Sequence, residues 1–175
     1  MPATASGKGA PHAQRVRAAG HAVHPILIVF PLGLLTTSVG FDVLHLTTDR
    51  VSFAFTAGHL IAAGLLLGVV TAITGWLDWW LVVPKGTRAH RVGLLHGLVN
   101  VVVLVLFAVS WAMRLAEENW VPAWPALAAA WLGLVVSGVG GWLGGELVER
   151  LGISVEEDAH VDAPSSLSGV AASGR

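Results

Sequence analysis

Four apolar stretches, each long enough to cross a lipid bilayer, govern what this chain can become: residues 25–46, 53–83, 91–114 and 121–148. A hydrocarbon core about 30 Å thick takes roughly 20 apolar residues in a helix. Lipid offers no partner to backbone N–H and C=O groups, so each span must satisfy its own, which a helix does and an open sheet does not. The breaks between the stretches are short, "TTDR" (47–50), "PKGTRAH" (84–90) and "RLAEEN" (114–119). Connections of that length join antiparallel neighbours. The expected fold class is therefore all-α, an integral membrane four-helix bundle with up-down-up-down topology. Charged residues make up only 12% of the chain, about half the share usual in soluble domains.

Residues 1–20 are small, polar and basic, and residues 156–175 are acidic and then rich in Ser, Ala and Gly. Both read as disordered arms on a transmembrane domain at 21–155. Basic residues favour the cytoplasmic side. Lys8, Arg15 and Arg17 lie before the first span and Lys85, Arg88 and Arg91 in the middle loop, whereas the other two loops hold only Arg50 and Arg114 among Asp49, Glu117 and Glu118. Both termini are thus expected in the cytoplasm. Trp76, Trp79, Trp80 and Trp142 would form an inner interfacial belt and Trp111, Trp120 and Trp124 an outer one. A net charge of −1 gives no attraction to nucleic acid. The absence of cysteine excludes disulfides, thiolate metal sites and cysteine nucleophiles.

Small residues recur at four-residue spacing along the fourth stretch, at Gly133, Ser137, Gly141 and Gly145, with an offset pair at Gly140 and Gly144. The second stretch has Gly64, Gly68 and Gly75. In lipid such faces let helix backbones approach closely. They would also leave room for a flat cofactor.

Ionisable groups inside a bilayer are costly unless paired or hydrated, so each is a functional candidate. The inner half collects His21, His24, Asp78, His90, His96, Glu146 and Glu149, and the outer half Asp42, His45 and His59. His24 and Asp42 are 18 residues apart, about five turns, and share a face. Pro31 withdraws the N–H that the Leu27 carbonyl would accept, so a kink is expected beside His24. His96 and Asn100, four apart in "HGLVN", form one polar patch, with His96 about 9 Å deeper than His90. Asp78, in "GWLDWW", suits either an interfacial cap beside Lys85 or Arg88 or a carboxylate fixing a histidine tautomer. Glu146 is expected to pair with Arg150 one turn on. His45 and His59 flank the outer loop.

The stretches "HPILIVFPLGL" (24–34), "GWLDWW" (75–80), Pro84 with "RVGLLHGLVN" (91–100), and "GGWLGGELVERLGISV" (140–155) resemble a bacterial family of small membrane proteins known as domain of unknown function 2231. The resemblance covers about residues 21–155 and falls on His24, Pro25, Pro31, Asp78, Arg91, His96, Asn100, Gly141 and Gly145. It implies a four-helix protein of the bacterial inner (plasma) membrane. Some relatives are joined to Rieske-type iron–sulfur domains, which implies membrane redox chemistry. This chain has no cysteine and cannot hold that cluster itself.

The first functional expectation is a subunit of a membrane redox system, binding heme b or a divalent metal. His24, His96, Asn100 and Asp78 form the candidate cofactor cluster, with His24, His96 and Asp78 as metal ligands. Axial imidazoles from facing helices hold heme iron in bundles. The obstacle is depth, because His24 lies at the rim and His96 more than a turn inside. The alternative is a non-catalytic assembly or anchor module packed through Gly64, Gly68, Gly133, Ser137, Gly141 and Gly145. Proton or ion translocation comes third. An enzyme is disfavoured, since the loops are too short for a water-filled active site and no nucleophile–base pair stands out. Partners in these readings are membrane lipid and a redox protein, and the small-residue faces are compatible with a homo-oligomer.

Overall fold

The computed structural model describes residues 17–18, 21–155, 159–165 and 168. Most of the two arms expected to be disordered lies outside the described residues. The described chain is a bundle of four helices, each long and apolar enough to span a membrane: Val23–Thr48, Val51–Leu81, Arg88–Leu115 and Trp124–Arg150. Ahead of the first span, Arg17–Ala18 pairs antiparallel with His21–Ala22 over two residues each. Successive spans run antiparallel through short connections. Both termini therefore leave from one end of the bundle, called here the terminal end.

Local chemistry sets where each helix starts and stops. The first span is a short helix, Val23–Leu27, and a long one, Val29–Thr48, interrupted at Ile28. Pro31 lacks the N–H that would bond the Leu27 carbonyl, so the break falls one turn before it. Thr87 caps the third span by accepting a hydrogen bond from the His90 N–H at 3.1 Å. Before it, Gly86 takes φ +81°, a conformation glycine adopts without Cβ strain. Pro125 sits in the first turn of the fourth helix, Trp124–Gly145, where a missing N–H costs nothing. That span ends in a π-helical turn, Glu146–Arg150. The chain then folds back, with the Ile153 N–H donating to the Leu147 carbonyl at 2.9 Å.

Spans one and two, and spans three and four, form the two most extensive helix pairs; two and three join these hairpins, while one and four touch sparsely. The buried core consists of Leu35, Val39, Ile61, Val103, Phe107 and Ala130. It occupies the middle of the bundle. Glycines make close approaches at particular sites. A Cβ on Gly64 would meet Leu35 at 2.7 Å, one on Gly68 would meet Leu104 at 2.6 Å, and one on Gly133 would meet Phe107 at 2.9 Å.

The four-residue ladder on the fourth span requires correction. Gly141 and Gly145 have open space where a Cβ would stand, and Ser137 bonds the Leu134 carbonyl of its own helix. The packed glycines are Gly133, Gly140 and Gly144, the last two against Asn100 and His96. At about 100° per residue, each four-residue step drifts some 40° around the helix, whereas steps of seven and four return near the starting face. The ladder winds off the face on which it begins.

Candidate functional site

The terminal half of the bundle encloses a cavity of about 390 Å³ to which all four spans contribute. His24 and His96 both line it, from the first and third spans. Their ring centroids are 6.4 Å apart, with planes at 87°. The expected mismatch in depth is closed by glycine. The His24 ring lies against the Cα of Gly75, where a Cβ would come within 2.8 Å of Cε1. A residue at the rim of one span thereby reaches into the second helix and towards the third.

Both rings are held by the same atom. His24 Nδ1 is 3.0 Å from the Thr71 carbonyl oxygen, and His96 Nδ1 is 3.0 Å from that of Gly140. A carbonyl only accepts, so in each neutral ring Nδ1 carries the hydrogen and donates, leaving a lone pair on Nε2. Asn100 supports His96. Its Nδ2 donates to the His96 backbone carbonyl at 2.8 Å and lies 3.4 and 3.3 Å from the two ring nitrogens. Near-equal distances mark an amide resting on the ring rather than bonded to one nitrogen.

Asp78 lines the same cavity and is 5% exposed, not an interfacial cap. Thr71, Gly75 and Asp78 fall at i, i+4 and i+7, which puts the carboxylate on the inward face. At His24 and His96 the tautomer is fixed by backbone carbonyls. Arg88 pairs with Glu146, tying the third span to the fourth. Glu146 had been expected to pair with Arg150, its neighbour one turn on. Among the described residues, no three His, Asp or Glu groups are placed to hold a metal ion. His24, His96 and Asp78 thus share a cavity without forming a bare-metal site.

The tryptophans divide by face. Trp76 and Trp79 turn inward, packing over Gly97 and Gly93 of the third span, and Trp79 Nε1 donates to the His90 carbonyl at 2.9 Å. Trp80, Trp124 and Trp142 point outward, each about two-thirds exposed. At the opposite end, His45 Nδ1 bonds the Arg50 carbonyl and His59 Nδ1 that of Phe55. His59 stacks on Trp120, with centroids 4.5 Å apart. These histidines form no joint site.

A buried ion pair at the same end is not visible in the sequence. Arg114 donates from both terminal nitrogens to the two Asp42 oxygens at 2.8 and 2.7 Å, and both side chains are fully buried. Ser110, one turn earlier, lies 3.4 Å from Arg114 Nε. Arg114 is the last turn of the third span, not a loop charge. The available signal was a Ser–Arg pair at i, i+4 facing the sole carboxylate of the first stretch.

The fold and cavity define a four-span helical membrane protein. The chain belongs to the family described as predicted membrane protein (DUF2231), whose model matches residues 20–157. No curated protein and no solved structure matches the chain.

Proposed function

We propose that this protein is a heme b-binding subunit of a membrane redox system, in which His24 and His96 would hold the iron. The observation that carries the reading is the pair of converging imidazoles, each pinned through Nδ1 with the lone pair left on Nε2. Ligating histidines are commonly oriented in this way, the second nitrogen donating to a carbonyl or carboxylate. The ring centroids are 6.4 Å apart with planes at 87°, so a single group set between the spans would lie within reach of both. A bare divalent ion would need three or four protein ligands, whereas a macrocycle supplies its own equatorial donors. Ligand count therefore favours heme over the bare metal. The cavity volume of about 390 Å³ lies within the range of about 300–1,000 Å³ usual for small-molecule and cofactor sites. Heme would supply one-electron transfer. The protein would orient the rings, exclude water and connect to a redox partner.

The inner (plasma) membrane and cytoplasmic termini belong to the same reading, supported by the basic residues at the terminal end. Translocation gains no support, because the apolar core separates the His24–His96 cavity from the Asp42–Arg114 pair.

Absorption of the purified protein in detergent, after expression with heme supply and on hemin titration, is the direct test. A Soret band with the ferrous spectrum of a six-coordinate, bis-imidazole heme is expected. It should be lost in both His24→Ala and His96→Ala, with size-exclusion profiles and helical circular dichroism unchanged. A colourless wild type that gives no spectral shift with hemin would overturn the proposal.

A further inference from the structure

We propose that the His24–His96 cavity takes its occupant sideways out of the bilayer, through a slot between the first and fourth spans, so that its ligand is a lipophilic molecule. This rests on the cavity being the binding site, and not on heme being what fills it. The lining residues divide sharply by exposure. Those standing exposed on the bundle surface are Pro25, Leu32 and Thr36 of the first span and Gly141 and Val148 of the fourth. Every lining residue from the second and third spans is buried or half-buried. The opening therefore falls where two neighbouring spans touch sparsely, and it runs from Pro25 and Val148 at the terminal rim to Leu32, Thr36 and Gly141 deeper along the spans.

The other directions are closed. Towards the terminal end, Ile153 is buried and its backbone is tied to Leu147, so the turn after the fourth span folds across the cavity floor. The Arg88–Glu146 ion pair binds the third and fourth spans beside that floor. Towards the opposite end, Leu35, Val103 and Phe107 form both the cavity roof and the bundle core. A water-borne solute would have to cross one of these barriers. A lipid-dissolved one needs only to pass between side chains at the slot.

The slot also has a chemical polarity. Its rim is apolar or small, and the imidazoles of His24 and His96 lie within. Such a cavity suits an amphipathic molecule whose head carries a Lewis-acidic centre or a hydrogen-bond donor and whose remaining surface is hydrocarbon-like. Gly141 sets the width. A Cβ there meets nothing within 4 Å, so a large side chain has room to extend across the opening without disturbing the helices.

The test is photolabelling of the full-length protein in phospholipid vesicles, with an apolar diazirine dissolved in the lipid and a charged, water-soluble diazirine in a parallel sample. Adducts are mapped by mass spectrometry. Val103 and Phe107 are 5% and 1% exposed, so a reagent reaches them only through the cavity. Labelling of both from the lipid phase is expected, with loss in Gly141→Trp and no change in Val135→Trp, which lies on the outer face of the same helix. Absence of lipid-phase labelling in the wild type, or equal labelling by the charged reagent, would overturn the proposal. Lateral labelling of a protein that shows no Soret band would remove heme and leave the route intact.

Discussion

Individual side chains show what a linear sequence can and cannot disclose. His96 was legible, because an imidazole about two turns inside a span has few reasons to be there, and His24 drew notice at the mouth of a span that Pro31 breaks. Their convergence was not, since helix rotation and neighbour order are properties of the assembled bundle. Gly75 is the residue that makes it happen. In Gly75→Ala the new methyl would displace the His24 ring from the Thr71 carbonyl, so hemin affinity should fall by about 10–100-fold, as when the partner that orients a metal ligand is lost. An unchanged binding isotherm would show that the ring needs no such seat. Arg114 was misread for a related reason: a charge at the edge of an apolar stretch looks the same whether it faces water or a carboxylate. Breaking a buried pair by removing one member typically costs about 3–5 kcal/mol, whereas replacing both with apolar groups of similar volume is often neutral. Arg114→Met should therefore lower the thermal midpoint in detergent strongly, and adding Asp42→Leu should restore much of it. Equal midpoints for the single and double variants would sink this account.

Helices were far more legible than their faces. Four spans follow from length and hydropathy, and the break in the first follows from Pro31, because both are dictated by backbone hydrogen bonding in lipid. The packed stripe on the fourth span joins Gly133 of the four-residue ladder to the offset pair Gly140 and Gly144, because a four-residue ladder in a helix of 3.6 residues per turn does not stay on one side. Pro31 positions the short Val23–Leu27 helix that carries His24. Pro31→Ala would restore a donor to the Leu27 carbonyl and straighten the span. Thermal stability should hold or rise, while hemin binding weakens as His24 is carried away from His96. Retention of full affinity would mean that the kink serves packing alone. The π-turn at Glu146–Arg150 was not foreseeable from composition, as its residues favour an ordinary helix end. Its effect is to bring Ile153 under the cavity.

At the scale of the whole molecule, the even number of spans puts both termini on one side, and the buried Arg114 alters the charge count that sets which side. With that guanidinium neutralised inside the bundle, Arg50 is the remaining basic residue in the two loops of the far end. A reporter enzyme active only outside the cytoplasm should work when fused after Arg50 and fail when fused at the C-terminus. The reverse pattern would invert the topology. The unequal packing of the helices has a consequence for how the protein comes to exist. Each hairpin closes its most extensive contact within itself, and the two hairpins share one core and the buried Asp42–Arg114 pair. Cut in the segment from Val83 to Arg88 and produced as two polypeptides, the halves should insert separately and find each other in the membrane. Neither half alone holds both imidazoles, so the cofactor site would come into being only when the second translation product arrives.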